Sequence, residues 1–308
     1  MEEQKQLIEC VPNFSEGRRP EVIRQIADAI EGVENVRLLH IDSGEAANRT
    51  VFTFAGEPTA VCEAAFRAVK VAGELIDMRQ QTGTHPRIGA TDVLPLVPIC
   101  GITLEECALL ARQLAERIAR ELLIPCYAYE AAAHRPEHRN LADCRRGEYE
   151  GLPQRMEHPI EQPDYGPRPY DEGIARTGCT VVGARNYLVA VNFNLDTKDV
   201  SIAKTIAARI REKGGGLPCV KAIGWYIEEY GIAQVSCNLT DFHVTPLSQL
   251  YAAVCREAER VGVGVTGTEI IGLVPQAALG NVEEAIQQMH LDALCPFVPE
   301  KKVIERLL

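Results

Sequence analysis

Residues 81–92 read QTGTHPRIGATD and hold one imidazole, His85, boxed between Gly83 and Pro86, with Arg87, Gly89 and Asp92 close behind. Apolar periodicity stops before this stretch and resumes at Val93, which predicts an exposed loop between a helix and a strand. Glycine permits close backbone approach to a ligand, and proline fixes the backbone at low entropic cost. An imidazole held rigidly beside a guanidinium and a carboxylate has the parts for proton transfer to an anionic substrate. Spacing alone leaves a second reading open, a surface turn that happens to contain a histidine.

The elements that must position this loop follow from the rest of the chain. Its 308 residues suffice for two domains, with 46% apolar and 24% charged residues, as in soluble globular proteins. The net charge of −11 argues against nucleic acid and anionic membranes as partners, while leaving anionic substrates open. The start, MEEQKQLIECVPNF, lacks a basic n-region and a long apolar core, so no signal peptide is expected. No apolar run approaches the roughly 20 residues of a membrane span. Eleven cysteines, at 10, 62, 100, 107, 126, 144, 179, 219, 237, 255 and 295, form no CxxC, so no metal site is expected. They read as reduced residues, several on apolar stripes, of a cytoplasmic protein. GxxxxGK[ST], GxGxxG after a strand and HExxH are absent.

Strands are predicted at residues 7–11, 36–42, 49–55, 93–97 and 126–129, and helices at 20–30, 58–77 and 103–121. Pro95 and Pro98 suggest an edge or end position for the strand at 93–97. Periodicity fades over residues 131–178, which read as a long functional loop and linker. A second half starts at Val181, with strands at 188–195, 220–226, 232–241 and 264–273 and helices at 200–211, 245–261 and 275–289. Gly214, Gly215 and Gly216 look like a helix C-cap and connector. Both halves show the order βαββαβ. The predicted fold is α+β, two ferredoxin-like subdomains (1–180 and 181–308) with antiparallel sheets and helices on the outer faces.

Side chains alternate along a strand. Ala233, Val235, Cys237 and Leu239 oppose Gln234, Ser236, Asn238 and Thr240; Val191 and Phe193 oppose Asn192 and Asn194; Leu39 and Ile41 oppose His40 and Asp42. These polar rows are either wet sheet faces or the walls of a shared ligand cleft between the sheets, with the His85 loop at its mouth. Asn13, His40, Asn192, Asn194 and Asn238 are the cleft candidates. Arg18, Arg19, Arg49, Arg87, Arg185 and Lys221 are basic residues that could face carboxylates, arginine through a bidentate fork.

The segments ECVPNFSEGR, NRTVFTFAG, LIDMRQQTGTHPRIGATDVLPLVP, GEYEGLP, DYGP, GAR, IGWYIEEYGIAQVSCNLTDF, LVPQAAL and CPF span almost the whole chain. Together they resemble the glutamate formimidoyltransferase family. The resemblance implies two ferredoxin-like subdomains with folate bound between them. It implies transfer of a formimidoyl group between 5-formimidoyltetrahydrofolate and L-glutamate, with N-formimidoyl-L-glutamate and tetrahydrofolate as the other pair, a step of histidine breakdown. Folate is then a substrate, not a tightly bound cofactor, and the expected assembly is a homodimer. Animal bifunctional members continue into a cyclodeaminase domain, so that second activity is expected to be absent here or carried on another protein.

The family's catalytic histidine lies in G-x-H-P-R, which is His85 here. Its folate contacts map to residues 166–178: Gly166 and Pro167 match the motif directly, followed by Arg168, Tyr170, Gly173, Thr177 and Gly178. Residues 168–176 differ in length and identity from the animal pattern. Asp42 and Arg87 lie in stretches that resemble the family's. In the implied chemistry the neutral glutamate amine attacks the amidinium carbon on folate N5, and N5 leaves from a tetrahedral intermediate. Expelling an amine requires a proton, so His85 is the expected general acid to N5, and base in reverse. Asp42 would orient or charge-stabilise the imidazole, and Arg87 would hold a substrate carboxylate. The alternatives are formyl transfer from 5-formyltetrahydrofolate, a non-catalytic folate-binding sensor and a structural assembly module.

Overall fold

Proline shapes the first strand. In the computed structural model, which describes residues 6–294 and 296–308, β1 (Leu7–Cys10) stops before Pro12 and resumes as β2 (Asn13–Phe14) in the same line of the sheet. Pro12 has no N–H for the ladder, but its carbonyl accepts from Phe52 N at 3.0 Å. Helix α1 (Pro20–Glu31), the hairpin β3 (Val36–Gly44) and β4 (Arg49–Gly56), α2 (Pro58–Leu75) and β5 (Thr91–Cys100) complete a βαββαβ unit. Strand β4 lies between β3 and β1/β2, and β5 flanks β1/β2 on the other side, all antiparallel. That is the ferredoxin-like arrangement.

This sheet then continues. Helix α3 (Leu104–Glu121) opens on a reciprocal Thr103–Glu106 capping box and leads to β6 (Cys126–Glu130). After three short helices, α4 (Leu141–Cys144), α5 (Leu152–Glu157) and α6 (Glu172–Thr177), β7 (Thr180–Ala184) inserts between β5 and β6, parallel to both. Two expectations are corrected here. The first sheet is mixed, because α3 is the crossover that lets parallel strands join it. And β5 is interior, not an edge: the Pro95 carbonyl accepts from Val11 N at 3.2 Å, and Gly183 faces it on β7.

Helices α1, α2 and α3 cover one face of this sheet over Ile8, Cys10, Phe14, Phe52, Phe54, Leu94 and Leu96. Residues 131–178 are packed structure, not a linker. Cys144, Leu152, Met156 and Ile174 lie against Val93, Tyr127, Tyr129, Cys179 and Val181, so part of the second face is covered too.

The first unit runs to Arg185 and the second begins at Asn186, because β7 belongs to the first sheet. In the second unit β8 (Val189–Leu195), α7 (Val200–Ile210), β9 (Val220–Ile227), β10 (Ile232–Leu239), α8 (Leu247–Arg260) and β11 (Val265–Ile271) form a four-stranded sheet, antiparallel throughout, in the order β11-β8-β10-β9. Its apolar rows, Val191 and Phe193 with Val235 and Cys237, share one core with residues of α7 and α8. The helix predicted at 275–289 is two, α9 (Gln276–Leu279) and α10 (Val282–Met289). Gly280 breaks it at φ 66°, and the Asn281 side chain caps the next turn.

The ten described cysteines are free, with Cys100 exposed; Cys295 lies outside the described residues. Burial pushes the Cys144 and Cys179 thiols up to about 12, which keeps them protonated and inert. Among the described residues no helix is long and apolar enough to cross a membrane, and no group of His, Cys, Asp and Glu could hold a metal ion.

Candidate functional site

The His85 loop links the end of α2 to the start of β5, and neighbouring segments grip it by its backbone. On one side lies the turn of the β3–β4 hairpin. Thr84 N donates to Ala46 O at 3.1 Å, Asn48 Nδ2 to Thr82 O at 2.8 Å and Gln81 Nε2 to Asn48 O at 3.1 Å. On another side lies the end of α6. Ala90 N donates to Thr177 O at 2.8 Å and Cys179 N to Ile88 O at 3.1 Å. Gly89 and Gly178 meet there; a Cβ on Gly178 would lie 2.3 Å from Ile88 O, and one on Gly89 2.2 Å from Cys179 O. Gly178 also has φ +66°, so no other residue fits without strain.

Behind the loop stands Asp92, fully buried. Its Oδ1 accepts from Ile88 N and from Arg145 Nε, both at 3.0 Å. Its Oδ2 accepts from Arg49 Nη1 at 2.6 Å and from Arg145 Nη2. Arg49 Nε donates to Asn13 Oδ1 at 3.0 Å. Burial alone would raise the Asp92 pKa, but Arg145 and Arg49 more than offset it and bring it down to about 2. Burial draws Arg49 down to about 10, so it stays protonated at neutral pH. One carboxylate therefore faces two guanidinium groups, and the cluster carries one excess positive charge.

His85 is half-buried, and its Nδ1 lies 2.7 Å from the Pro86 carbonyl oxygen. A carbonyl can only accept, so Nδ1 carries the proton and Nε2 is the basic nitrogen of the neutral ring. Burial, followed by the repulsion of Arg49 and Arg145, holds the His85 pKa well below its ordinary value, and the ring is neutral at pH 7.

The Arg87 guanidinium is engaged within the chain. Its fork grips Glu150, with Nη2 to Oε1 at 2.6 Å and Nη1 to Oε2 at 2.7 Å. Nε donates to Gln81 Oε1 at 2.9 Å, Nη2 also to Gln81 O at 3.4 Å, and Nη1 also to Glu148 Oε2 at 3.3 Å. All five guanidinium N–H groups are thus occupied within the chain. Tyr149 N donates to Arg87 O at 3.0 Å, so residues 145–150 hold the loop through Arg87 and its base through Arg145. Glu150→Gln removes the charge that orders the fork. The Glu150 side chain is 63% exposed, so the expected loss of stability is below about 1 kcal/mol. Displacement of the loop is expected to lower kcat by up to about 100-fold. Thermal unfolding and turnover measured on the same preparation check both numbers.

The other residues singled out from sequence divide into groups. Thr177 and Gly178 abut the His85 loop, and Asn13 joins it through Arg49. His40 and Asp42 pair with Thr53 and Val51 on the hairpin whose turn grips the loop. Arg168 forms an ion pair at 3.0 Å with Asp171, the cap of α6, and Gly173 lies against the same two side chains. Tyr170 packs in the small core with Tyr149. Gly166 and Pro167 are exposed, and Gly166 adjoins Ala119 on α3. Asn192, Asn194 and Asn238 belong to the second sheet. Buried Asn194 accepts from Gln234 Nε2 at 2.6 Å, Gln234 Oε1 accepts from Trp225 Nε1 at 3.0 Å, and Asn192 Nδ2 donates to Glu269 Oε2 at 3.3 Å. Asn238 is exposed opposite Lys221.

Sequence reasoning missed Arg145, Glu148 and Glu150. They lie 53 to 63 residues from their partners in a stretch without periodicity; the segment GEYEGLP is a signal for Glu148 and Glu150, and Arg145 has none.

Two family models match the chain: the formiminotransferase domain, N-terminal subdomain, over residues 7–185, and the formiminotransferase domain over residues 190–284. The chain is 46% identical over 285 residues to a glutamate formimidoyltransferase of Streptococcus pyogenes serotype M1, covering 92% of this chain and 94% of that one. It is 41% identical over 286 residues to a glutamate formimidoyltransferase of Thermoplasma acidophilum, covering 92% and 93%. It is 43% identical over 328 residues to the formimidoyltransferase-cyclodeaminase of Gallus gallus, covering 98% of this chain and 60% of that protein. The chain therefore spans 60% of the length of that bifunctional relative.

Proposed function

The chain belongs to the formiminotransferase family, and on that premise we propose that it transfers a formimidoyl group between 5-formimidoyltetrahydrofolate and L-glutamate, the exchange that accompanies histidine breakdown. The observation that carries the reading is His85: a neutral imidazole of fixed tautomer, on a loop held by backbone bonds, beside an arginine pair locked on Asp92.

A ring that is neutral at pH 7 starts as a base. Nε2 takes a proton from the glutamate nitrogen as that nitrogen bonds to the formimidoyl carbon. The same proton then passes to folate N5 as the carbon–N5 bond breaks, so His85 ends neutral, as it began. In the reverse direction the steps exchange. Folate enters as a substrate, along residues 166–178, of which Thr177 and Gly178 touch the His85 loop. Asp42 supports the imidazole electrostatically, and Arg87 fixes the loop.

Turnover tests the reading. Purified protein with L-glutamate and 5-formimidoyltetrahydrofolate is expected to release tetrahydrofolate, and with 5-formyltetrahydrofolate to do so far more slowly. Preference for the formyl donor makes the protein a formyltransferase. Folate binding without transfer from either donor makes it a sensor.

A further inference from the structure

We propose that Arg49 and Arg145, both anchored on Asp92, form the subsite for the α-carboxylate of the amino-acid substrate. The proposal rests on the transfer reaction above and adds the group that holds the acceptor.

Geometry supports it first. Arg145 spends Nε and Nη2 on Asp92, and Arg49 spends Nη1 on Asp92 and Nε on Asn13. That leaves Nη1 of Arg145 and Nη2 of Arg49 with no acceptor among the described residues. Arg49 is only 8% exposed, so a carboxylate that reaches its spare donors meets a cation with little competing water. The charge count agrees: one carboxylate against two guanidinium groups leaves room for one more anion. Arg87, by contrast, has no donor left to give.

Position then selects which carboxylate. His85 is within electrostatic reach of Asp92 and of both arginines. In glutamate the amine and the α-carboxylate share one carbon, whereas the γ-carboxylate lies two methylenes further out. An α-carboxylate bound on the pair keeps the amine on the adjacent carbon close to the arginines and so toward the imidazole, and we assign the subsite to it on that ground. The same excess positive charge favours the neutral amine over the ammonium ion, which is the form that attacks.

The test compares wild-type protein with Arg145→Gln and Arg145→Lys, at saturating 5-formimidoyltetrahydrofolate. The acceptors are L-glutamate, L-glutamine (γ-amide) and L-isoglutamine (α-amide). Wild type is expected to use glutamine better than isoglutamine. Arg145→Gln is expected to raise KM for glutamate about 10- to 100-fold, the size of a lost charged hydrogen bond. It also brings glutamate and isoglutamine to similar kcat/KM, with KM for the folate donor unchanged. Arg145→Lys keeps the charge without the fork and falls between. A purely structural role would lower kcat and stability without touching the preference between acceptors. An unchanged glutamate-to-isoglutamine ratio in both variants, or a wild type indifferent to the α-amide, overturns the subsite and leaves the reaction standing. No transfer by wild type to any acceptor overturns both.

Discussion

His85→Ala is expected to lower kcat by about 10²- to 10⁴-fold, the usual contribution of one positioned proton carrier, with folate affinity retained. The imidazole contacts its own loop through the Pro86 carbonyl, while the backbone bonds with Ala46, Thr177 and Cys179 hold the loop without it. Folate binding and turnover therefore separate in this variant. The pH dependence carries a sign. The active free form is neutral, and burial with two cations holds the pKa below 6.5. At saturating glutamate and donor, the His85 limb of wild-type kcat thus lies below pH 6.5, while ionisation of the free glutamate amine enters kcat/KM separately. A limb of kcat at or above 6.5 that His85→Ala lacks, or near-wild-type turnover in His85→Ala, would remove neutral His85 from the mechanism.

The second large effect is on stability. Asp92→Asn leaves two nearly buried guanidinium groups without their counter-charge, and breaking such a pair costs about 3–5 kcal/mol. Against a typical total of about 5–15 kcal/mol, that shifts a urea midpoint visibly or prevents folding. Arg145→Gln is expected to be milder, because Arg49 still answers Asp92. Acid pH probes the same carboxylate. Its folded pKa of about 2 lies below the ordinary 3.8, so its contribution, roughly 2 kcal/mol, is complete above pH 3.8 and lost as pH falls toward 2. Asp92→Asn lacks this component and shows a shallower acid limb. Equal acid limbs in the two proteins would mean that Asp92 is not held ionised by its arginines.

What sequence alone determined is local. Apolar spacing at i, i+3 and i+4 is enough to place α1, α2 and α3, because a helix buries one stripe whatever it packs against. Alternation separates the core row of β10, Ala233, Val235 and Cys237, from its polar row for the same reason. Glycine and proline around His85 marked a loop, and the family motif marked its histidine. Tertiary structure decided what depends on meetings between distant segments. Strand β7 reads as a short apolar run, and only its pairing with β5 and β6 assigns it to the first sheet. Pro95 argued for an edge, yet a carbonyl contact keeps β5 inside. Arg87 looked free to bind substrate until Glu150 took its fork, and Arg145 had no visible role until α4 carried it to Asp92. A charge in a sequence has no direction; its partner is chosen by the packing that brings two loops together.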